Sequence, residues 1–234
     1  MWMPDFMYFV FVAPALLLAV VAQAMVRSAY EKMSRVPASM RGAEAARRIL
    51  DANGLHDVQI EQIPGELSDH YDPRGKVLRL SPNVYGVNSM AAVGIAAHEA
   101  GHALQDARHY APLVIRNLAV PAASFGSSIG TILLMVGMVM AFSMIPLGKY
   151  VFLLGIITFG ATVLFQLINL PVEFDASSRA KSELIALGIV SGPEIHYVSK
   201  VLNAAALTYV AATLQAVLTL AYYIFRYMQA TSRD

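Results

Sequence analysis

His98, Glu99 and His102 form the pattern His-Glu-x-x-His, with Ala100 and Gly101 between them. Residues four apart on a helix sit about 40° apart around the axis and about 6 Å along it. Two imidazoles so placed can chelate one Zn²⁺, and the carboxylate between them can act as general base toward water. That is the chemistry of a zinc peptidase. The competing reading is a solvent-facing helix whose two histidines only make hydrogen bonds.

A catalytic zinc site uses three protein ligands and keeps one position open, so a third donor is needed. The chain has no cysteine, which leaves His, Asp and Glu. Glu173 is the favoured ligand. It follows an apolar run, and the small residues Ala176, Ser177, Ser178 and Ala180 after it would let its helix lie close against another. A solvated acid at the end of an apolar segment is the bland alternative. A third histidine of an extended zinc motif would fall at position 108, which is Arg, and His109 is rotated about 100° from the metal face. His56, His70 and His196 stand in or beside loop-like stretches. Asp175 is the candidate for orienting a ligand imidazole. An oxyanion-stabilising group is also required. His196, Tyr197, Tyr209, His70 and Tyr71 all qualify, and spacing singles out none.

The elements that must position these groups are partly legible. Asn88-Ser89 can cap a helix that runs through 90–109 without proline. Before it, Ser39 can start a helix to about Ala52, stopped by Asn53-Gly54. Val58-Gln59-Ile60 reads as a short strand and Asp72-Pro73-Arg74-Gly75 as a turn. Lys76-Val77-Leu78-Arg79-Leu80 alternates like an exposed edge strand. Such an edge could add a substrate peptide by main-chain hydrogen bonds, or be a solvated strand with protective charges.

Apolar residues make up 57% of the 234 positions and charged ones only 14%, with a mean hydropathy of +0.54. Soluble domains run at about 45–50% apolar. Four segments, 6–26, 119–145, 150–170 and 207–227, reach the roughly 20 residues that cross a bilayer. The last is the weakest, interrupted by Thr208, Thr213, Gln215 and Thr219. The first lacks the basic start and small-residue cleavage site of a signal peptide, so a retained anchor is expected. Of the 17 Lys and Arg residues, 14 fall in the 27–118 and 171–206 connections, and Lys149, Arg226 and Arg233 fall elsewhere. Positive charge marks the cytoplasmic side. Both termini are therefore expected outside, with the His-Glu-x-x-His helix and Glu173 on the same inner face. A net charge of +1 without a dense basic run gives no support for nucleic-acid binding. Gly126-x-x-x-Gly130 marks a close helix contact, first within the chain and second through self-association into a homo-oligomer. Few ionisable residues lie in the spans, which argues against transport.

With these residues in view, the chain resembles the YugP-like bacterial membrane zinc metallopeptidases. The stretches that carry the likeness are Asp69-His70-Tyr71-Asp72-Pro73, Leu78-Arg79-Leu80-Ser81, Ala96-Ala97-His98-Glu99-Ala100-Gly101-His102-Ala103-Leu104-Gln105, Leu170-Pro171-Val172-Glu173-Phe174-Asp175-Ala176-Ser177 and the run 201–212. The resemblance implies His98 and His102 as zinc ligands and Glu99 as base, and it sets Glu173 where that family's downstream glutamate stands. More distantly the layout is similar to the membrane gluzincins, whose Glu-x-x-x-Asp has Ser177 at its Asp position here.

The expectation is a mainly α polytopic membrane protein with a small α+β zincin-like catalytic unit on the cytoplasmic face of the bacterial inner membrane. Its segments would be an anchor at 1–26, the catalytic unit at 27–118, two spans at 119–170, the third-ligand segment at 171–206, and a last span with tail at 207–234. It would hold one Zn²⁺ and cut membrane-associated proteins or peptides. The alternative is a non-catalytic scaffold or chaperone whose structural zinc is closed by a fourth ligand, His70 or Asp175.

Overall fold

A computed structural model describes residues 6–232, leaving Arg233 and the other terminal positions of the first and last expected segments outside the description. Among the described residues the chain is mainly helical, with three short strands. In chain order these are α1 (Phe6–Met33), α2 (Gly42–Ala52), β1 (Gln59–Gln62), β2 (His70–Asp72), β3 (Val77–Leu80), α3 (Pro82–Tyr85), α4 (Met90–Ala107), α5 (Ala111–Phe142), α6 (Gly148–Ala186) and α7 (Ile195–Thr231). Contacts divide the chain into two compact units. One holds residues 1–20, 115–170 and 209–234, and the other holds 21–114 and 171–208.

The first unit is built from apolar helix. Helices α1, α5, α6 and α7 are each long and apolar enough to cross a membrane, at 28, 32, 39 and 37 residues. All exceed the roughly 20 residues a bilayer requires. The helices of the first, third and fourth apolar segments run past them, whereas α5 starts before the second and stops at Phe142, inside it. The Gly126-x-x-x-Gly130 face is used within the chain. A Cβ at Gly126 would sit 2.4 Å from the Thr158 carbonyl oxygen, so α5 and α6 touch backbone to backbone there. Two of the hydroxyls that weakened the last span are satisfied locally: Thr208 donates to the Ala205 carbonyl at 2.6 Å and Thr213 to the Tyr209 carbonyl at 2.9 Å. That removes the penalty of an unbonded hydroxyl in hydrocarbon.

The second unit has a core of its own. Ala45, Ala46, Ile49 and Leu50 give α2 one buried stripe, which joins Leu78, Leu80, Val84, Val93, Ala97 and Leu104. Helix α2 starts at Gly42, not Ser39. Glu44 accepts from the Arg41 amide at 3.1 Å, whereas the Ser39 hydroxyl donates to the Ile189 carbonyl at 3.0 Å. A carboxylate three residues into the first turn supplies the cap more effectively than a distant serine. Gly54 ends the helix at φ 75°, as Asn53-Gly54 predicts.

The sheet corrects one expectation. Its strand order is β1-β3-β2, with β3 parallel to β1 and antiparallel to β2. The 76–80 segment is therefore the centre of the sheet, not an exposed edge. Val77 and Leu78, on opposite faces, are both buried. The charge that suggested solvent is paired across the sheet: Arg79 reaches Asp72 on β2 at 2.9 Å and Glu61 on β1 at 3.4 Å. The outer edges belong to β1 and β2.

Candidate metal centre

Helix α4 begins at Ser89, whose hydroxyl accepts from the Ala92 amide at 3.2 Å. From that cap the helix runs unbroken to Ala107, so His98 and His102 lie one turn apart on one face. Their ring centroids are 4.8 Å apart with planes at 82°. Near-perpendicular rings aim their nitrogens at a common point while keeping the carbons from colliding.

Glu173 comes to that point from α6. Its Oε2 lies 3.3 Å from His98 Nε2 and 3.6 Å from His102 Nε2. Metal–donor bonds of 2.0–2.1 Å at tetrahedral angles put donor atoms about 3.3 Å apart. Two imidazole nitrogens and one carboxylate oxygen at this spacing therefore fit a zinc-sized cation, and the donor set suits Zn²⁺. Among the described residues these three form the group able to hold a metal ion. Glu99, the next position after His98, is 8% exposed.

The approach of α6 depends on small residues. A Cβ on Gly101 would lie 2.6 Å from the Ala176 carbonyl oxygen, and Ala176 and Ala180 are fully buried. Only a glycine on α4 lets the α6 backbone come this near. Gly101 inside the motif thus sets how far Glu173 reaches.

The imidazoles are oriented from behind. Gln105 is fully buried, and its Nε2 donates to the Val172 carbonyl and to Asp175 Oδ2, both at 2.8 Å. With two acceptors facing the amide nitrogen, the amide oxygen must face His102 Nδ1, 3.0 Å away. With zinc bound, a proton on Nδ1 donated to that oxygen would leave the Nε2 lone pair, beside Glu173, for the metal. His98 Nδ1 meets the Ser177 hydroxyl at 3.1 Å. Asp175 stands one hydrogen bond removed from His102 and also pairs with Arg179. Burial pulls the His102 pKa down, but hydrogen bonding to Glu173 and the charges of Glu99 and Glu173 outweigh it, so the net shift is upward. A field that favours positive charge here also favours a divalent cation.

Replacing Gln105 by Leu should weaken zinc binding about 10- to 100-fold, the usual cost of losing such a support. Competition with a chromophoric chelator measures it. Unchanged affinity would mean that Gln105 does not orient the ring.

Other singled-out residues stand apart. His109 lies past the end of α4, with φ 49°. His56 bonds Asp51, and His70 Nδ1 meets the Ser68 carbonyl at 2.9 Å. His196 is exposed, and its ring lies tilted against Tyr197 with centroids 3.8 Å apart. Tyr71 donates to Asp106 at 2.9 Å, and burial together with that acid holds its hydroxyl far above the usual range. Tyr209 belongs to the other compact unit. Sequence reasoning missed Gln105 and Ser177 as supports. Their signals were the spacings of three from His102 and four from Glu173, each on its ligand's helix face.

The family described as "Putative neutral zinc metallopeptidase" matches residues 8–228. The "Putative membrane protease YugP" of Bacillus subtilis (strain 168) is 47% identical over 231 residues, covering 97% of this chain and 100% of that protein. No solved structure matches the chain significantly.

Proposed function

The chain belongs to the neutral zinc metallopeptidase family, and on that premise we propose that it is a membrane endopeptidase acting on membrane-associated proteins or peptides at the cytoplasmic face. The observation that carries this reading is the convergence of one donor atom each from His98, His102 and Glu173 to within 4.8 Å of one another. These three would hold one Zn²⁺. Bound there, the ion would supply Lewis-acid polarisation of water and of the scissile carbonyl. Glu99 would take the proton from the attacking water and return it to the amine nitrogen as the peptide bond breaks. Gln105 and Ser177 would keep both ring nitrogens aimed while charge builds up.

A structural zinc in a scaffold or chaperone is less well supported. Its fourth ligand was to be His70 or Asp175, and those side chains are engaged with Ser68 and with Gln105 and Arg179. A group of three protein donors leaves one position for water, as catalytic sites do.

Orientation follows from the 14 Lys and Arg residues of the 27–118 and 171–206 connections. A fluorogenic peptide and EDTA, neither of which crosses the bilayer, test activity and sidedness together. Inside-out bacterial membrane vesicles should cut the peptide, stop with EDTA and resume with added Zn²⁺. Sealed right-side-out vesicles should be silent until permeabilised. Hydrolysis that survives EDTA, or occurs on the outer face, would contradict the proposal.

A further inference from the structure

A groove of about 520 Å³ runs between α1 and α7 in the second unit, away from the metal centre's residues. Val21, Ala24, Met25, Ser28, Ala29 and Met33 form its α1 wall, with Ala204 on α7. The only charged side chains lining it, among the described residues, are Lys32 and Lys200. No acid lines it.

Helix rise gives each lysine's distance from the apolar run of its own helix. Val21 and Met25 belong to the apolar run 6–26, while Lys32 stands six residues beyond it, about 9 Å further along the axis. Lys200 stands seven residues before the apolar run 207–227, about 10 Å from its start. With four spans in succession, α1 and α7 would cross the membrane in opposite directions, which would put both lysines beyond the same end of the apolar zone at similar depth. The headgroup layer there is about 5–8 Å thick. Lysine stems are long enough to bring their ammonium groups back to it. Lys200 also holds its ammonium 5.8 Å from the centre of the Tyr197 ring.

An apolar wall that begins in hydrocarbon and ends in two cations at headgroup level has the polarity of one kind of ligand. We propose that this groove is a binding site for a single anionic phospholipid, with an acyl chain against Val21, Met25 and Ala29 and the phosphate between Lys32 and Lys200. A basic residue at the membrane surface favours anionic lipid by about 1 kcal/mol, roughly fivefold, so two give about 30-fold selectivity over a zwitterionic lipid. Met33 ties the site to the rest of the unit, since it also packs with Ala91 of α4 and Val201.

Native mass spectrometry of the full chain in detergent micelles doped equally with phosphatidylglycerol and phosphatidylcholine tests this. The parent should retain one phosphatidylglycerol in clear preference. The Lys32→Gln/Lys200→Gln double variant should lose that preference about 30-fold. Ala29→Phe, which fills the groove and leaves both charges, should lose the bound lipid itself. Arg27→Gln/Arg35→Gln, which removes equal charge outside the groove, should keep it. Equal binding of the two lipids by the parent would overturn the site. So would retention of phosphatidylglycerol by the double-lysine variant, or an equal loss in the arginine variant, which would indicate a diffuse basic surface. Binding unaffected by Ala29→Phe would also overturn it, because the headgroup would then be held without the chain.

Discussion

Glu99→Gln is expected to bind zinc as the parent does and to lose hydrolysis by about a thousandfold or more. The amide matches the carboxylate in size, so α4 and the two imidazoles stay in place. It cannot accept a proton. Proton transfer by a positioned side chain contributes about 10²–10⁴ to rate, and here one group would serve both water activation and departure of the amine. Glu99 is 8% exposed, so bulk water has little room to stand in for it. Metal content and peptide turnover measured on the same preparation decide the matter. Parental turnover with full zinc would remove Glu99 from the role of base.

Gly101→Ala is the second large effect, and it is a geometric one. The added methyl would lie 2.6 Å from the Ala176 carbonyl oxygen and 3.3 Å from its Cα. Those are backbone atoms and no rotamer change relieves them. Alanine is a better helix former than glycine, so α4 itself should gain rather than melt. The strain must then fall on the approach of α6, which carries Glu173 less than a turn before Ala176. Overpacking of this kind costs about 1–3 kcal/mol. Carried into the metal site, that is about a 5- to 150-fold loss of zinc affinity, with helical content retained by circular dichroism. Gly160→Ala is the control, since a Cβ there meets nothing within 4 Å. If Gly101→Ala held zinc as tightly as the Gly160 variant, the close α4–α6 contact would not control the site.

What the chain discloses on its own divides along a physical line. Features encoded within one helix turn were readable: the His-Glu-x-x-His face, the Ser89 cap and the Asn53-Gly54 stop depend on local geometry. The approach of Glu173 to the two histidines was readable from the run of small residues that follows it, which lets its helix lie close against another. Features that depend on which neighbour lies across were not. Lys76–Leu80 alternates as an edge strand does, yet pairing on both sides buries it and neutralises Arg79. Gln105 shows its role only once α6 supplies Val172 and Asp175 as its acceptors. Asp175 drew attention as the charged group, but the neutral amide meets the imidazole and the acid meets the amide. The Ser39 cap failed for the same reason, because its partner Ile189 is 150 residues away.

X-ray absorption at the zinc edge, on the purified full chain and on Glu173→Ala, tests the central claim most directly. The parent should show two imidazoles and light oxygen donors at about 2.0–2.1 Å, in four-coordinate geometry. Glu173→Ala should lose the carboxylate contribution and most of its zinc. A parent spectrum with three or more imidazoles, or one left unaltered when Glu173 becomes Ala, would contradict the account.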